Sequence, residues 1–169
     1  MNRVAFVKTA HRPRGVTASI AGLGTNPAKG KDVLIKPNFN TADPCPGSTH
    51  NDTLVALIDE LWEMGAKSIS LGERSYPPTI QVMMEKEIMP LLQQRDVRII
   101  NFDDLEQSDW IEFKPKDSHW PNGFRIARPI LETECLVSTC CLKTQPVRRH
   151  IYHVYEIACR SRSDFPAWI

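Results

Sequence analysis

The chain has 169 residues, enough for one domain with a real core, since at this size about 70% of the unfolded chain's surface can be buried. Its 21 basic and 20 acidic residues leave a formal net charge of +1, so no global field draws in nucleic acid or anionic lipid, and neither is expected as a partner. No apolar run approaches the ~20 residues that span a bilayer, and residues 1–8 are too short and too soon interrupted for a signal peptide, which predicts a soluble, cytoplasmic chain.

Residues 4–8 are rich in β-formers and predict a first strand, followed by a basic loop, His11-Arg12-Pro13-Arg14. Residues 16–23 predict a helix of about two turns, stopped by Gly24 and Asn26-Pro27. A second strand follows, whose consecutive Val33, Leu34 and Ile35 predict burial on both faces, as in a parallel sheet. Residues 39–50 hold Pro44, Pro46, Gly47 and several hydroxyls and cannot be regular structure. That is long for a βα loop, and loops of this length are often functional.

Leu54, Leu57, Ile58, Leu61 and Trp62 fall on one helical stripe with Asp52, Asp59 and Glu63 off it, predicting a helix capped by Asn51 and stopped by Gly65. Ile69 and Leu71 alternate with Ser70 and Gly72 in a third strand ending at Glu73. Residues 79–94 repeat the helical pattern, with a kink or break expected before Pro90. Residues 97–102 predict a fourth strand, 110–113 an edge strand, and 124–128 and 136–142 two more, the last apolar enough to be central. Strands alternating with helices predict an α/β fold, a mostly parallel sheet flanked by helices in a three-layer sandwich. No Gly-x-Gly-x-x-Gly follows a strand, so a dinucleotide fingerprint is not expected.

Five cysteines, at 45, 135, 140, 141 and 159, form no Cys-x-x-Cys set and read as free thiols. The adjacent Cys140 and Cys141 would point to opposite faces of a strand, so no metal site is expected there. His11, His119, His150 and His153 have no mutual spacing that compels one, and no resident cofactor is predicted.

In open α/β sheets, ligands bind outside the carboxyl ends of the strands. Lys36 and Asn38 end the second strand, Glu73 ends the third, and Lys143 ends the last apolar strand. Ser48-Thr49-His50 precede the main helix, whose free N–H groups and dipole favour an anion. This set predicts a small anionic ligand, a carboxylate or phosphate. Lys36 and Lys143 would stabilise its charge, Asn38 and Thr49 would orient it, and Glu73 or His50 would act as acid or base. Each residue also has a blander role: Lys36 as a solvated cation, His50 as a helix cap, Glu73 as half of a surface ion pair with Arg74 or Lys36 worth ~1 kcal/mol or less. No residue pattern names a reaction, so a non-catalytic binding or interaction module stands beside the enzyme reading. No feature sets the oligomeric state.

The elements Val33-Leu34-Ile35-Lys36-Pro37-Asn38, Thr49-His50, Leu54-Val55, Leu57-Ile58, Gly65-Ala66-Lys67 and Gly72-Glu73 together resemble the family described as domain of unknown function 362. Cys140-Cys141-Leu142-Lys143-Thr144 looks like that family's strand ending in Lys-Thr-His. The resemblance covers about residues 1–145 and implies an α/β domain over 1–144. Longer relatives often carry a ferredoxin-like cysteine cluster for iron–sulfur centres, which implies a loose redox association. This chain has no such cluster.

At Gln145 the resemblance stops. Where the family continues with His, an aromatic-Gly-Gly element and Phe-Thr-Met-Ser-x-Lys, this chain has Pro146-Val147-Arg148-Arg149-His150-Ile151-Tyr152-His153-Val154-Tyr155-Glu156. Reading those codons one base later permits Arg-Tyr-Gly-Gly-Ile-Phe-Thr-Met-Ser-Met-Lys. Residues 145–169 are therefore expected to be a frameshifted or poorly ordered tail, leaving the domain incomplete at its C-terminal end and the product a truncated, inactive remnant on the least favourable reading. Resequencing the locus tests this, against the alternative of a genuine short protein with a diverged C-terminal helix.

Overall fold

A computed structural model describes residues 3–116 and 122–140, together with the backbone of 143–145 and 148–152. In chain order the elements are α1 (Arg12–Leu23), β1 (Asp32–Lys36), α2 (Asn51–Glu63), β2 (Ser68–Glu73), α3 (Thr79–Glu85), α4 (Met89–Gln93), β3 (Val97–Asn101), β4 (Trp110–Phe113), β5 (Phe124–Ala127), α5 (Arg128–Glu132), β6 (Cys135–Ser138), β7 (Lys143–Gln145) and β8 (Arg148–Tyr152).

The three apolar residues of β1 are all buried, as a strand covered on both faces requires. β1 pairs in parallel with β2 on one side and β6 on the other, Ile35 lying level with Leu71 and Val137, and β3 extends the sheet beyond β2. The order β3-β2-β1-β6 means that the chain steps outward through α2, α3 and α4 and then returns to the far side of β1. The crevice between the carboxyl ends of β1 and β6 is thus a topological switch point, the place where open α/β sheets hold their ligands.

Alternation divides the sheet into two packed faces. Ile35, Leu71 and Val137 meet Leu54 and Ile58 of α2 and Met83 of α3 in the main core, against which Val16 and Ile20 of α1 also pack. On the opposite face Leu34 packs with Phe102 and Ala127, bordered by Trp110 and Ile130. The result is the expected α/β arrangement, a mostly parallel sheet with helices on its faces. Gly72 is required at its place in β2: a Cβ there would lie 2.5 Å from Phe102 Cζ and 3.1 Å from Leu34 Cδ1.

Several elements differ from their sequence-based expectation. Residues 4–8 form no strand; no neighbouring strand meets them among the described residues, and Val4 and Phe6 stand 87% and 91% exposed. The stretch read as a basic loop is the start of α1, where His11 Nδ1 accepts from Arg14 N (3.3 Å) and Pro13 occupies the first turn, the one helical place where its missing N–H costs nothing. His50, not Asn51, caps α2. The break before Pro90 is present, between α3 and α4, with Glu87 at φ 54° and Pro90 again in a first turn.

β4 pairs with β5 in a separate antiparallel ribbon, and α5, also opened by a proline, follows it directly. β6 is not central: among the described residues it pairs only with β1, and it ends at Ser138, where Thr139 N turns to donate to Lys36 O (3.0 Å). Lys143 therefore belongs to β7, which pairs with β8 in a small antiparallel ribbon rather than in the main sheet. Of the expected tail, residues 148–152 form β8, and 153–169 lie outside the described residues. Cys45 is a free thiol, whereas Cys135 is disulfide-bonded, contrary to the free-thiol reading, which weighed composition and could not see proximity. Among the described residues no helix is long and apolar enough to cross a membrane.

Candidate functional site

The carboxyl ends of β1 and β2 are joined through one buried carboxylate. Glu73, 1% exposed, accepts from Lys36 Nζ and Arg74 N (2.8 Å) at Oε1 and from Phe39 N (2.9 Å) at Oε2. Burial of a carboxylate is tolerated because an ammonium and two backbone donors replace its hydration. Both oxygens are thus engaged in holding the chain after β1 against the end of β2. Lys36 also donates to Pro37 O (2.9 Å), and its side chain is 32% exposed. An ammonium has three donors, so one remains for a ligand.

The segment from Asn38 to His50 is tied back to the same place. Asn38 and Thr49 bond reciprocally, Asn38 N donating to Thr49 Oγ1 (3.0 Å) and Thr49 N to Asn38 O (3.0 Å). Thr49, 3% exposed, also shares a hydroxyl–hydroxyl bond of 3.1 Å with Thr139 at the end of β6. The two sides of the switch point are therefore stitched together by Thr49–Thr139 and by Thr139 N to Lys36 O. Gly47 shapes the intervening turn: its N–H reaches Pro44 O (2.7 Å), and a Cβ would lie 2.7 Å from Asp43 Cβ.

His50 turns its Nδ1 to Asp52 N (3.1 Å), closing the first turn of α2, with the Asp52 carboxylate 3.6 Å from the same nitrogen. Thr53 N and Leu54 N both reach His50 O (3.1 Å each). The helix N-terminus is therefore less open to an anion than its sequence suggests, because three of its donors already have acceptors. The side-chain amide of Asn38, by contrast, makes no hydrogen bond to the protein among the described residues.

The structure thus brings Lys36, Asn38, Thr49, His50 and Glu73 together and does not bring Lys143 to the end of β6; its side chain lies outside the described residues. Thr139 is the site residue that sequence reading missed. Its signal was the polar pair Ser138-Thr139 interrupting an apolar run. The pair expected at the surface, Glu73 with Lys36, is present but carries a buried carboxylate. At the opposite end of the sheet, the Ser68 hydroxyl and then the Lys67 ammonium hold the Asp32 carboxyl below its usual value, and Asp32 in turn raises Lys67.

Among the described residues no three His, Cys, Asp or Glu side chains are grouped to hold a metal ion. Among the described cysteines Cys45 is exposed and Cys135 is disulfide-bonded, so they do not make an iron–sulfur ligand set, and no chemistry is derived through such a centre.

No curated protein and no solved structure matches the chain. A family model does match, over residues 33–149, from the first apolar residue of β1 to the start of β8, and so includes both sides of the switch point. The chain belongs to the family described as domain of unknown function (DUF362).

Proposed function

We propose that this protein binds a small anionic molecule, a carboxylate or phosphate, at the switch point between β1 and β6. The observation that carries the reading is the distribution of donors and acceptors there. Glu73 is turned inward with both oxygens engaged, and the Asp52 carboxylate lies against His50 Nδ1 (3.6 Å), while the groups left over are a Lys36 N–H, the Asn38 amide and His50 Nε2. Beside Lys36 and Asn38 this leaves spare donors with the Glu73 carboxylate already engaged, which suits an anion. Glu73 acts as a positioning group, holding Lys36 and the Asn38 segment in place. Any proton transfer falls to His50, whose Nδ1 is taken by the cap, leaving Nε2 for the ligand. Thr49 and Thr139 keep the two strand ends in register around the ligand. The reading contains no redox step.

Thermal unfolding in inorganic phosphate, acetate and citrate, against chloride at matched ionic strength, tests it. A ligand that binds only the folded state stabilises by about 2.7 kcal/mol at a hundred times its Kd, which for a chain of this size raises the midpoint by roughly 5–10 °C. Lys36→Ala is expected to abolish the shift, but it also breaks the Glu73 pair. Asn38→Ala separates the two effects: its amide is unbonded, so the variant should unfold like the parent while losing most of the anion response. No anion response in the parent protein, or an undiminished one in Asn38→Ala, would defeat the proposal.

A further inference from the structure

Val4-Ala5-Phe6-Val7 has the make-up of a strand covered on both faces, the same pattern β1 shows with Val33, Leu34 and Ile35. Yet among the described residues they pair with no strand, and Val4 and Phe6 are 87% and 91% exposed. They run instead beside α1. The Arg3 guanidinium donates to Leu23 O (2.9 Å), and Gly22 and Gly15 sit so close to Ala5 and Thr9 that a Cβ would lie 3.2 Å and 2.8 Å away. That contact secures one side of the segment and leaves its large apolar side chains outward. A β-forming stretch in this condition is a ready strand for addition to an open sheet edge.

β3 offers such an edge. Among the described residues it pairs only with β2, and beside it lies a groove of about 1260 Å³ that extends from the N-terminal ends of β1 and β2 to α5. Ile99 and Ile100 give the groove apolar lining, and Asp96, Asp104 and Glu132 outweigh Arg98 in its charge. The segment is bracketed by Arg3 and Lys8, of the opposite sign, and its residues 4–8 equal β3 (Val97–Asn101) in length. In its own chain the segment is already laid along α1, so the strand offered to β3 comes from another molecule.

We infer that two copies of this chain associate by strand addition, residues 4–8 of each extending the sheet of the other along the outer edge of β3. The exchange is reciprocal, each copy giving one segment and receiving one, so it closes at two. Phe6 and Val4 fall on one face of the added strand and Ala5 and Val7 on the other, which removes from water the most exposed large apolar side chains among the described residues. The inference is independent of the anion site, which lies at the carboxyl ends of β1 and β6, across β2 from the edge of β3.

Sedimentation of the full chain from about 1 to 100 µM tests it, a range that brackets the micromolar Kd of a modest interface. The expected result is a mass that doubles across the range, with the transition moving to higher concentration in high salt. Phe6→Lys should move it upward at least tenfold while leaving the unfolding midpoint of the monomer unchanged, since that side chain touches little in its own chain. The pair Asp104→Lys and Glu132→Lys, both at exposed positions, should move it likewise. Amide exchange at residues 5–7 and 98–100 should slow as concentration rises. A monomer throughout, or a dimer indifferent to Phe6→Lys, overturns the inference, as does concentration-dependent protection confined to other residues. A dimer sensitive to Phe6→Lys but indifferent to the charge reversals overturns β3 as the receiving edge.

Discussion

Replacing Glu73 by glutamine keeps the size and shape of the side chain and removes only its charge and one acceptor oxygen. The carboxylate holds three donors: Lys36 Nζ and Arg74 N at Oε1, Phe39 N at Oε2. An amide has one carbonyl, so one set of donors must face an N–H group. In the milder orientation the carbonyl takes the place of Oε1 and Phe39 N loses its acceptor, in a residue that is 0% exposed. A buried donor left without a partner costs about 1–3 kcal/mol, and changing the two remaining bonds from a charged to a neutral acceptor costs about 0.5–1.5 kcal/mol each. Lys36, 32% exposed, recovers part of this from water, which brings the expected loss to about 2–4 kcal/mol. For a chain of this length that is roughly 5–15 °C in the unfolding midpoint. Lys36→Met should cost less, about 1–3 kcal/mol, because both backbone donors stay on the carboxylate and water can reach the vacated place. Urea unfolding of both single variants and the double variant gives the coupling, expected to be at least ~1 kcal/mol. If Glu73→Gln unfolds within about 0.5 kcal/mol of the parent, the carboxylate is not the anchor of the strand ends and the reasoning fails.

Thr49→Val is nearly isosteric but removes the acceptor of Asn38 N and the partner of Thr139; urea titration should show a loss of about 1–3 kcal/mol with an unchanged slope. Gly72→Ala places a methyl 2.5 Å from Phe102 Cζ, in a ring that is 3% exposed and cannot swing clear, and should cost about 1–3 kcal/mol in the same assay. Asp32 has its carboxyl pKa lowered, first by the Ser68 hydroxyl and then by Lys67, so its contribution is present above the ordinary value of 3.8 and fades as pH falls through the lower folded value. Asp32→Asn should therefore be less stable than the parent near neutral pH, and the gap should narrow in thermal scans at about pH 3, with a small amplitude because that side chain is 45% exposed.

The parts of the fold that could be read from the chain are those where one pattern decides the outcome. The apolar stripe Leu54, Leu57, Ile58, Leu61 fixes α2, and the run Val33 to Ile35 fixes a strand buried on both faces. Where two patterns compete, the reading slips. Pro13 was equally compatible with a loop and with a first helical turn, and His11, two residues earlier, settles it by capping. Residues 4–8 have strand propensity, but propensity describes what suits a pleated surface and says nothing about whether a neighbouring strand is at hand. The end of β6 was hidden because Cys140 to Leu142 continues the apolar composition past Thr139, although the backbone has already turned to Lys36.

The site shows the same division between residue choice and pairing. Polar groups at the ends of apolar runs are visible in the sequence, and Lys36, Asn38, Thr49, His50 and Glu73 all lie near the ends of β1 and β2. Their partnerships are not visible, because alternation puts Lys36 in phase with Leu34 and Glu73 in phase with Leu71, on opposite faces. The ion pair forms over the strand ends. Ile35 lying level with Leu71 leaves Glu73 one residue beyond Lys36, close enough for the lysine to fold across. The same geometry brings Phe39 N down onto the carboxylate, and that contact changes the chemistry of the site. Both oxygens of the acid are then occupied by Lys36, Arg74 N and Phe39 N. On the proposed reading, one ammonium N–H, the Asn38 amide and the second His50 nitrogen are left to meet an acceptor carrying negative charge.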